Sequence, residues 1–568
     1  MKIEDYIAER LRAAGVRRFF GIPGGPSIPY MEAFRKAGIE FILTAHEASA
    51  AVMADVTARL TGVTGVCHAT FGPGAVNLAS GVGGSLLDRS PVIALTSEMP
   101  DSWLGRTAQM NIDHQALFGP LTKATFRLSP GNVREVIDRS LALANEEYPG
   151  PVHIGLPSDL AGSQACLAAS DTGMVTGTTL QVSSPTGIRS ETGGDSEEQS
   201  GNSTEAGGNS GEESGSGRSQ DPGALRSRAC VLIASARRPI IVAGLTAMRA
   251  GAGKALEAFL ADHDVPVIVT PMAKGVIPAD HPCFAGVLFH ALSDRLKKLI
   301  RESDLIIGLG YDPVEYNYES WVPDVPLLHF DTRQSDLRIK GAIEIVLPAW
   351  RWFEILAPLK GSGVMTTLAS GIRREIIDAF SKRPAGFSPV TVLSLLREIM
   401  PSTATVTADV GSHLHLLGQL WDVEDGRLIM TNGWSSMGFG LPAAIAAALA
   451  GNGEQILCIT GDGGFLMHAG EIMTVRRLGL KIIMVVLSDG ELNLIRVKQS
   501  WKSVDPYGVQ VSAGSLFGAN SFLGVAVKRV TDETALRSAV TRALRHDEST
   551  IIEAVIDPSL YGDIVVRS

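Results

Sequence analysis

Short apolar runs, each followed by a helical pattern, recur along the chain. Phe41-Ile42-Leu43-Thr44-Ala45 reads as a buried strand, and Ala48-Ser49-Ala50-Ala51-Val52-Met53-Ala54 opens a helix directly behind it. Runs without polar alternation belong to strands buried on both faces, as in parallel sheets. Next come a strand at Gly65–Thr70, a turn Phe71-Gly72-Pro73-Gly74, a helix predicted from Ala75 to Asp88, and a strand at Pro91–Thr96. Together they make a strand–helix–strand unit with a tight glycine turn. The last third repeats the scheme: strand Gln455–Thr460, turn Gly461-Asp462-Gly463-Gly464, a helix predicted from Phe465 to Leu478, and a strand from Lys481 to Ser488. Between them, Arg238-Pro239-Ile240-Ile241-Val242-Ala243-Gly244 starts another strand-to-helix passage. The predicted fold class is α/β, with three doubly wound parallel-sheet domains.

Composition divides the chain at two places. From Thr186 to Asp221 it is Gly, Ser, Glu, Asn and Asp with almost nothing apolar, a stretch that cannot bury enough surface to fold. A shorter break lies between Ser381 and Pro389. The expected layout is a first domain over 1–165, a linker or insertion over 166–225, a central domain over 226–365, a linker over 366–390 and a last domain over 391–568. A length of 568 residues at 45% hydrophobic content also exceeds what one core organises.

Charge and cysteine usage narrow the setting. Lys plus Arg number 50 against 60 Asp plus Glu, a net −10. With no basic tract to neutralise phosphates, neither nucleic acid nor an anionic membrane is an expected partner. The amino terminus enters an amphipathic pattern at once, with no signal-peptide run, and no transmembrane span is evident, so a cytoplasmic location is expected. The 5 cysteines are scattered and include no Cys-x-x-Cys pair, which points to reduced thiols rather than a disulfide framework or zinc site.

Chemistry-bearing residues fall at strand ends. His46 and Glu47 follow the strand Phe41–Ala45, at the rim where open parallel sheets bind ligands; a helix-start glutamate favoured by the helix dipole is the plainer reading. The glycine turn at Gly72 either admits a ligand or only packs helix on strand. Asp462 and Asp489 end adjacent strands, beside the glycine N–H groups of Gly463 and Gly464. Two carboxylates there suit Mg²⁺ with a diphosphate. The alternative is that Asp462 caps its helix and Asp489 opens an Asx turn. Gly308 and Gly310 make no dinucleotide fingerprint, because Pro313 takes the third glycine's place.

The loop Thr431-Asn432-Gly433-Trp434-Ser435-Ser436-Met437-Gly438-Phe439-Gly440-Leu441-Pro442 precedes the two aspartates. Together with Gly461-Asp462-Gly463, Asp489 and the His46-Glu47 stretch, it resembles the thiamine-diphosphate-dependent enzymes of the acetolactate synthase branch. Gly308-Leu309-Gly310-Tyr311-Asp312-Pro313-Val314-Glu315-Tyr316 is similar to the catabolic, flavin-independent synthases, so FAD is not expected. The resemblance covers nearly the whole chain outside the acidic insert. It implies pyrimidine-binding, central and diphosphate-binding domains, with thiamine diphosphate and Mg²⁺ as cofactors. Glu47 would hydrogen-bond the aminopyrimidine and favour its imino form. Asp462, Asp489 and the Glu491 backbone carbonyl would hold the metal. Gly72, Gly411, His413, Ser435, Gly461, Gly463 and Gly464 would border the cofactor, with Met437 wedged beneath it.

The implied reaction is decarboxylation of a pyruvate-like 2-keto acid with carboligation to a second carbonyl compound. The alternatives are release of an aldehyde and, further off, cofactor binding without catalysis. A homodimer or homotetramer with the site between subunits follows from the same resemblance. Acetolactate synthases place a glutamine where Met110 stands in Gln109-Met110-Asn111-Ile112-Asp113, so a different 2-keto acid is also compatible with the sequence.

Overall fold

The computed structural model describes residues 1–166, 222–315, 324–335, 337, 339, 341–381, 386–423, 427–451 and 453–564. The acidic insert expected at 186–221 lies outside them. The described residues form three sheets, confirming the expected class. The first runs β2-β1-β3-β4-β6-β5, with β1 Arg18–Gly21, β2 Glu40–Leu43, β3 Gly65–Ala69, β4 Val92–Glu98, β5 Ala124–Arg127 and β6 Val152–Pro157. All its pairings are parallel. The second runs β12-β11-β10-β7-β8-β9, with β7 Pro239–Ala243, β8 Val267–Val269, β9 Phe284–Val287, β10 Leu305–Leu309, β11 Leu327–Asp331 and β12 Ile343–Val346.

The third sheet runs β14-β13-β15-β16-β19-β18-β17. Its strands are β13 Thr405–Ala408, β14 Arg427–Ile429, β15 Ile456–Gly461, β16 Ile483–Ser488, β17 Ser521–Phe522, β18 Val525–Val530 and β19 Thr550–Val555. Only the β17–β18 edge pairing is antiparallel. In the first sheet the strand order reverses between β1 and β3, and in the third between β13 and β15. Such switch points open a crevice at the carboxyl ends, and both candidate clusters sit beside one.

The outer sheets share one hydrophobic core. The helices Glu47–Thr61, Pro73–Leu87 and Gly440–Ala450 contribute small buried residues, among them Ala50, Ala51, Ala54, Ala79, Ala443, Ala444 and Ala447. Small side chains let the backbones approach. The methyl of an alanine at Gly81 would stand 2.6 Å from the Ala51 side chain, which only glycine avoids. Arg59, buried in this interface, pairs with Asp55 at 2.6 Å and Asp88 at 2.7 Å and donates to the Met430 carbonyl at 2.8 Å. A buried cation is tolerated where charge and hydrogen bonds both meet it. Here that arrangement ties the first domain to the strand that leads into the Met437 loop.

The five cysteines are all free: Cys67, Cys283 and Cys458 are buried, Cys166 and Cys230 exposed. No helix among the described residues is long and apolar enough to cross a membrane. The long helix expected over Phe465–Leu478 is a correction. The chain instead forms a helix at Asp462–Met467, a 3₁₀ turn at Ala469–Glu471 and a second helix at Ile472–Arg477. His468, at φ −126° and ψ 25°, breaks the run, and its side chain bonds Ser49 of the first domain instead.

Candidate active site

At the carboxyl ends of β13, β15 and β16 lies a half-open crevice. Gly411, His413, Met437, Gly461, Asp462, Gly463, Gly464, Asp489 and Glu491 all line it. Asp462 starts its helix, and its two oxygens accept from the backbone N–H of Gly463 at 2.7 Å and of Gly490 at 2.8 Å. Asp489 accepts from the Glu491 N–H at 3.1 Å, the expected Asx turn. Asp462 is thus the first helical residue and not the cap, a position taken by Gly461 without a side-chain bond, whereas Asp489 makes its Asx turn and lines the crevice as well. Burial, and then the nearby Asp462 carboxylate, push Asp489 up to about 7. A carboxyl group whose proton affinity is raised by burial and by a second carboxylate beside it marks a natural place for a cation.

Several polar atoms here lack partners. His413 Nε2, Ser412 Oγ and both amide atoms of Asn493 are buried without a hydrogen bond, and all three residues line the crevice. Burial holds His413 down at about 4, hence neutral. Orphaned donors beside a glycine turn and two carboxylates fit a metal-bound diphosphate, since unmade buried hydrogen bonds are costly. The glycines also make room. A Cβ on Gly464 would stand 2.7 Å from Asp409 Oδ2, and one on Gly463 would stand 3.2 Å from the Met437 terminal methyl.

Asp409 and Asn493 were not among the sequence candidates. Asp409 is buried and pushed up to about 6 by that burial. It accepts from the Gly438 N–H at 2.8 Å and the Thr460 hydroxyl at 3.0 Å, so it anchors the backbone next to Met437. Its position at the end of the Thr405–Ala408 strand, just ahead of Gly411, was the available signal.

Glu47 does not line the crevice of its own chain. It begins the Glu47–Thr61 helix on the first sheet, where the His46 ring accepts from the Ala48 N–H as the helix cap. Only 7% of the residue is exposed. Asn77 donates to its carboxylate at 3.0 Å, and a Cβ on Gly74 would stand 3.1 Å from its other oxygen. The Phe71–Gly74 turn thus makes space for Glu47. Gly72, at φ +65°, lies against Met110, whose Cβ would be 2.8 Å from an added side chain. Ser435, at φ +52°, donates to the Asn432 carbonyl at 2.7 Å on the exposed face of its loop. Neither Gly72 nor Ser435 lines the crevice. Asn77 was missed in the sequence, although it falls one helical turn beyond Gly74, on the same face.

Three family models match in chain order. Residues 1–117 match the thiamine pyrophosphate enzyme N-terminal TPP binding domain, residues 226–349 the central domain, and residues 409–554 the C-terminal TPP binding domain. The chain belongs to the thiamine pyrophosphate enzymes. Similar proteins include the acetolactate synthase isozyme 2 large subunit of Escherichia coli, 28% identical over 97% of this chain and 95% of that protein. A probable acetolactate synthase large subunit of Methanocaldococcus jannaschii is 27% identical over 98% and 92%. The catabolic acetolactate synthase of Raoultella terrigena is 26% identical over 99% and 96%. The chain is thus an acetolactate synthase-like thiamine pyrophosphate enzyme, with its Glu47 rim in the N-terminal binding domain and its Asp462 crevice in the C-terminal one.

Proposed function

We propose that the protein decarboxylates a pyruvate-like 2-keto acid and joins the remaining acyl unit to a second carbonyl substrate. The observation that carries this reading is the pairing of one buried carboxylate on the first sheet with a two-aspartate, glycine-lined crevice on the third. When bound, thiamine diphosphate supplies the carbon nucleophile and the electron sink for decarboxylation. Asp462, Asp489 and the Glu491 carbonyl would hold Mg²⁺. Gly411, Gly461, Gly463, Gly464, His413 and Asn493 would meet the diphosphate.

Glu47 would exchange a proton with the aminopyrimidine nitrogen, with Asn77 holding its carboxylate in place. Met437 would set the bend of the bound molecule, a positioning effect on the reacting groups. Because Glu47 stands outside its own chain's crevice, we assign the complete site to two copies of the chain, each giving Glu47 to the other. A homodimer is then the smallest active unit, and a homotetramer is compatible with it.

Nuclear magnetic resonance of the products from pyruvate and larger 2-keto acids, with thiamine diphosphate and Mg²⁺ present, tests the reaction. Acetolactate or a homologous hydroxy-keto acid is the expected product. An aldehyde alone would overturn carboligation in favour of simple decarboxylation.

A further inference from the structure

Glu471 sits at the break in the expected long helix, fully buried and outside the crevice lining. Its Oε1 accepts from two consecutive backbone N–H groups of the first domain, Ala45 at 2.8 Å and His46 at 3.2 Å. Its Oε2 accepts from the Thr474 hydroxyl at 2.8 Å. Three residues earlier, His468 Nδ1 and the Ser49 hydroxyl are 2.7 Å apart, and the His468 ring meets the His46 ring edge-on at 5.7 Å. A side chain on Gly438 would run into the same imidazole. The segment from 468 to 471 therefore touches both Gly438, the residue after Met437, and the residues on either side of Glu47.

Glu47 is the first residue of its helix, so the direction of its carboxylate is set by the backbone that enters that helix. Ala45 and His46 are that backbone. Two N–H groups converging on one carboxylate oxygen form a charge-assisted clamp, and Ser49 is fastened one half-turn further on. Catalytic groups misplaced by about 1 Å lose on the order of 10²-fold in rate, which makes such a clamp consequential.

We propose that Glu471, assisted by His468, is a positioning residue for Glu47, holding the helix entry so that the Glu47 carboxylate meets the aminopyrimidine. This inference rests on the reading of Glu47 as the cofactor's proton-transfer partner. Thr474 is then the residue that orients Glu471.

Deuterium exchange at C2 of bound thiamine diphosphate, together with calorimetric cofactor affinity, tests it on the full-length protein. Glu471→Ala should lower exchange at least about tenfold, a barrier rise of roughly 1.4 kcal/mol, while cofactor affinity stays within about threefold. Glu471→Gln, which keeps an acceptor oxygen for the two N–H groups, should recover most of that loss. His468→Ala, which spares the clamp itself, is the second variant should Glu471→Ala not fold, with an expected fall of about threefold.

Parental exchange in these variants, alongside lost exchange in Glu47→Gln, would overturn the clamp while leaving Glu47's role intact. Undiminished exchange in Glu47→Gln would instead remove the role on which the clamp depends. A loss of cofactor affinity in Glu471→Ala without a change in exchange also contradicts positioning.

Discussion

The first and third sheets run their parallel strands in the same spatial order, apart from the β17 edge hairpin, yet their carboxyl rims carry different chemistry. On the first, Glu47 stands with a single side-chain donor, Asn77, while the other buried carboxylate, Glu98 at the end of β4, is held by Arg127 and Gln115 beside His114. On the third, Asp409, Asp462 and Asp489 face backbone N–H groups and glycines. One topology thus offers the same kind of rim twice, and the residues at its strand ends decide what each rim can hold. The N–H-rich acidic rim suits a cation with a diphosphate. The other suits a proton-transferring carboxylate, since Glu47 is met by an amide donor while Glu98 is met by the Arg127 guanidinium.

The sharpest way to break this comparison is to remove the Glu47 carboxylate. Glu47→Gln should lower C2 exchange by about 10²–10⁴-fold, the range for a positioned acid–base group, with cofactor affinity nearly kept. Equal exchange in parent and variant would leave the first rim without its assigned task. Asp462→Ala should act on the other quantity, weakening Mg²⁺-dependent cofactor binding by at least about 10²-fold, as loss of a buried charged ligand costs several kcal/mol. Calorimetry showing parental affinity would contradict the metal assignment.

Gly74→Ala is a smaller probe. Its methyl would stand 3.1 Å from Glu47 Oε1, so the carboxylate must shift. C2 exchange should fall several-fold, up to about tenfold, while diphosphate affinity holds; unchanged exchange would show that Glu47 has slack.

Acid should separate the rims by stability. Burial holds His68 and His114 down at about 4, so their folded-state values lie below the unfolded one. The stability they contribute is present above pH ~6.5 and is lost as pH falls towards 4. On the third rim His413 is also held down at about 4, but Asp409, raised to about 6, opposes it: the contribution of Asp409 is lost as pH rises from ~4 to 6. Hydrogen-exchange mass spectrometry at decreasing pH should show β3, β4 and β6 opening before β13 and β15. The reverse order would contradict the contrast, which is worth up to about 3 kcal/mol per group.

What could be read from the sequence follows the range of the contacts. Asp462 and Asp489 were legible because each ends an apolar run beside glycines, and Glu47 because it sits between a strand run and a helix run. Asn77 and Asp409 were not singled out although each lies within one turn of a candidate glycine, and Asn493 has no local mark at all, since its vacancy is made by other elements. Glu471 is the extreme case. It bonds backbone more than four hundred residues away, and the apolar periodicity of Phe465–Leu478 concealed the break at His468 that turns it towards Ala45. The glycine turn at Phe71–Gly74 stood between two readings until Glu47 was found against Gly74.

The central claim is that the two rims complete one site from two chains, and mixed dimers test it most directly. Glu47→Gln and Asp462→Ala chains, each inactive alone, are unfolded together, refolded and assayed for keto-acid turnover. If each chain lends Glu47 to its partner's crevice, a mixed dimer regains one intact site, and random pairing in a two-fold dimer restores about a quarter of parental activity. No recovery, with mixed dimers demonstrably formed, would mean that Glu47 and Asp462 do not act across the subunit boundary.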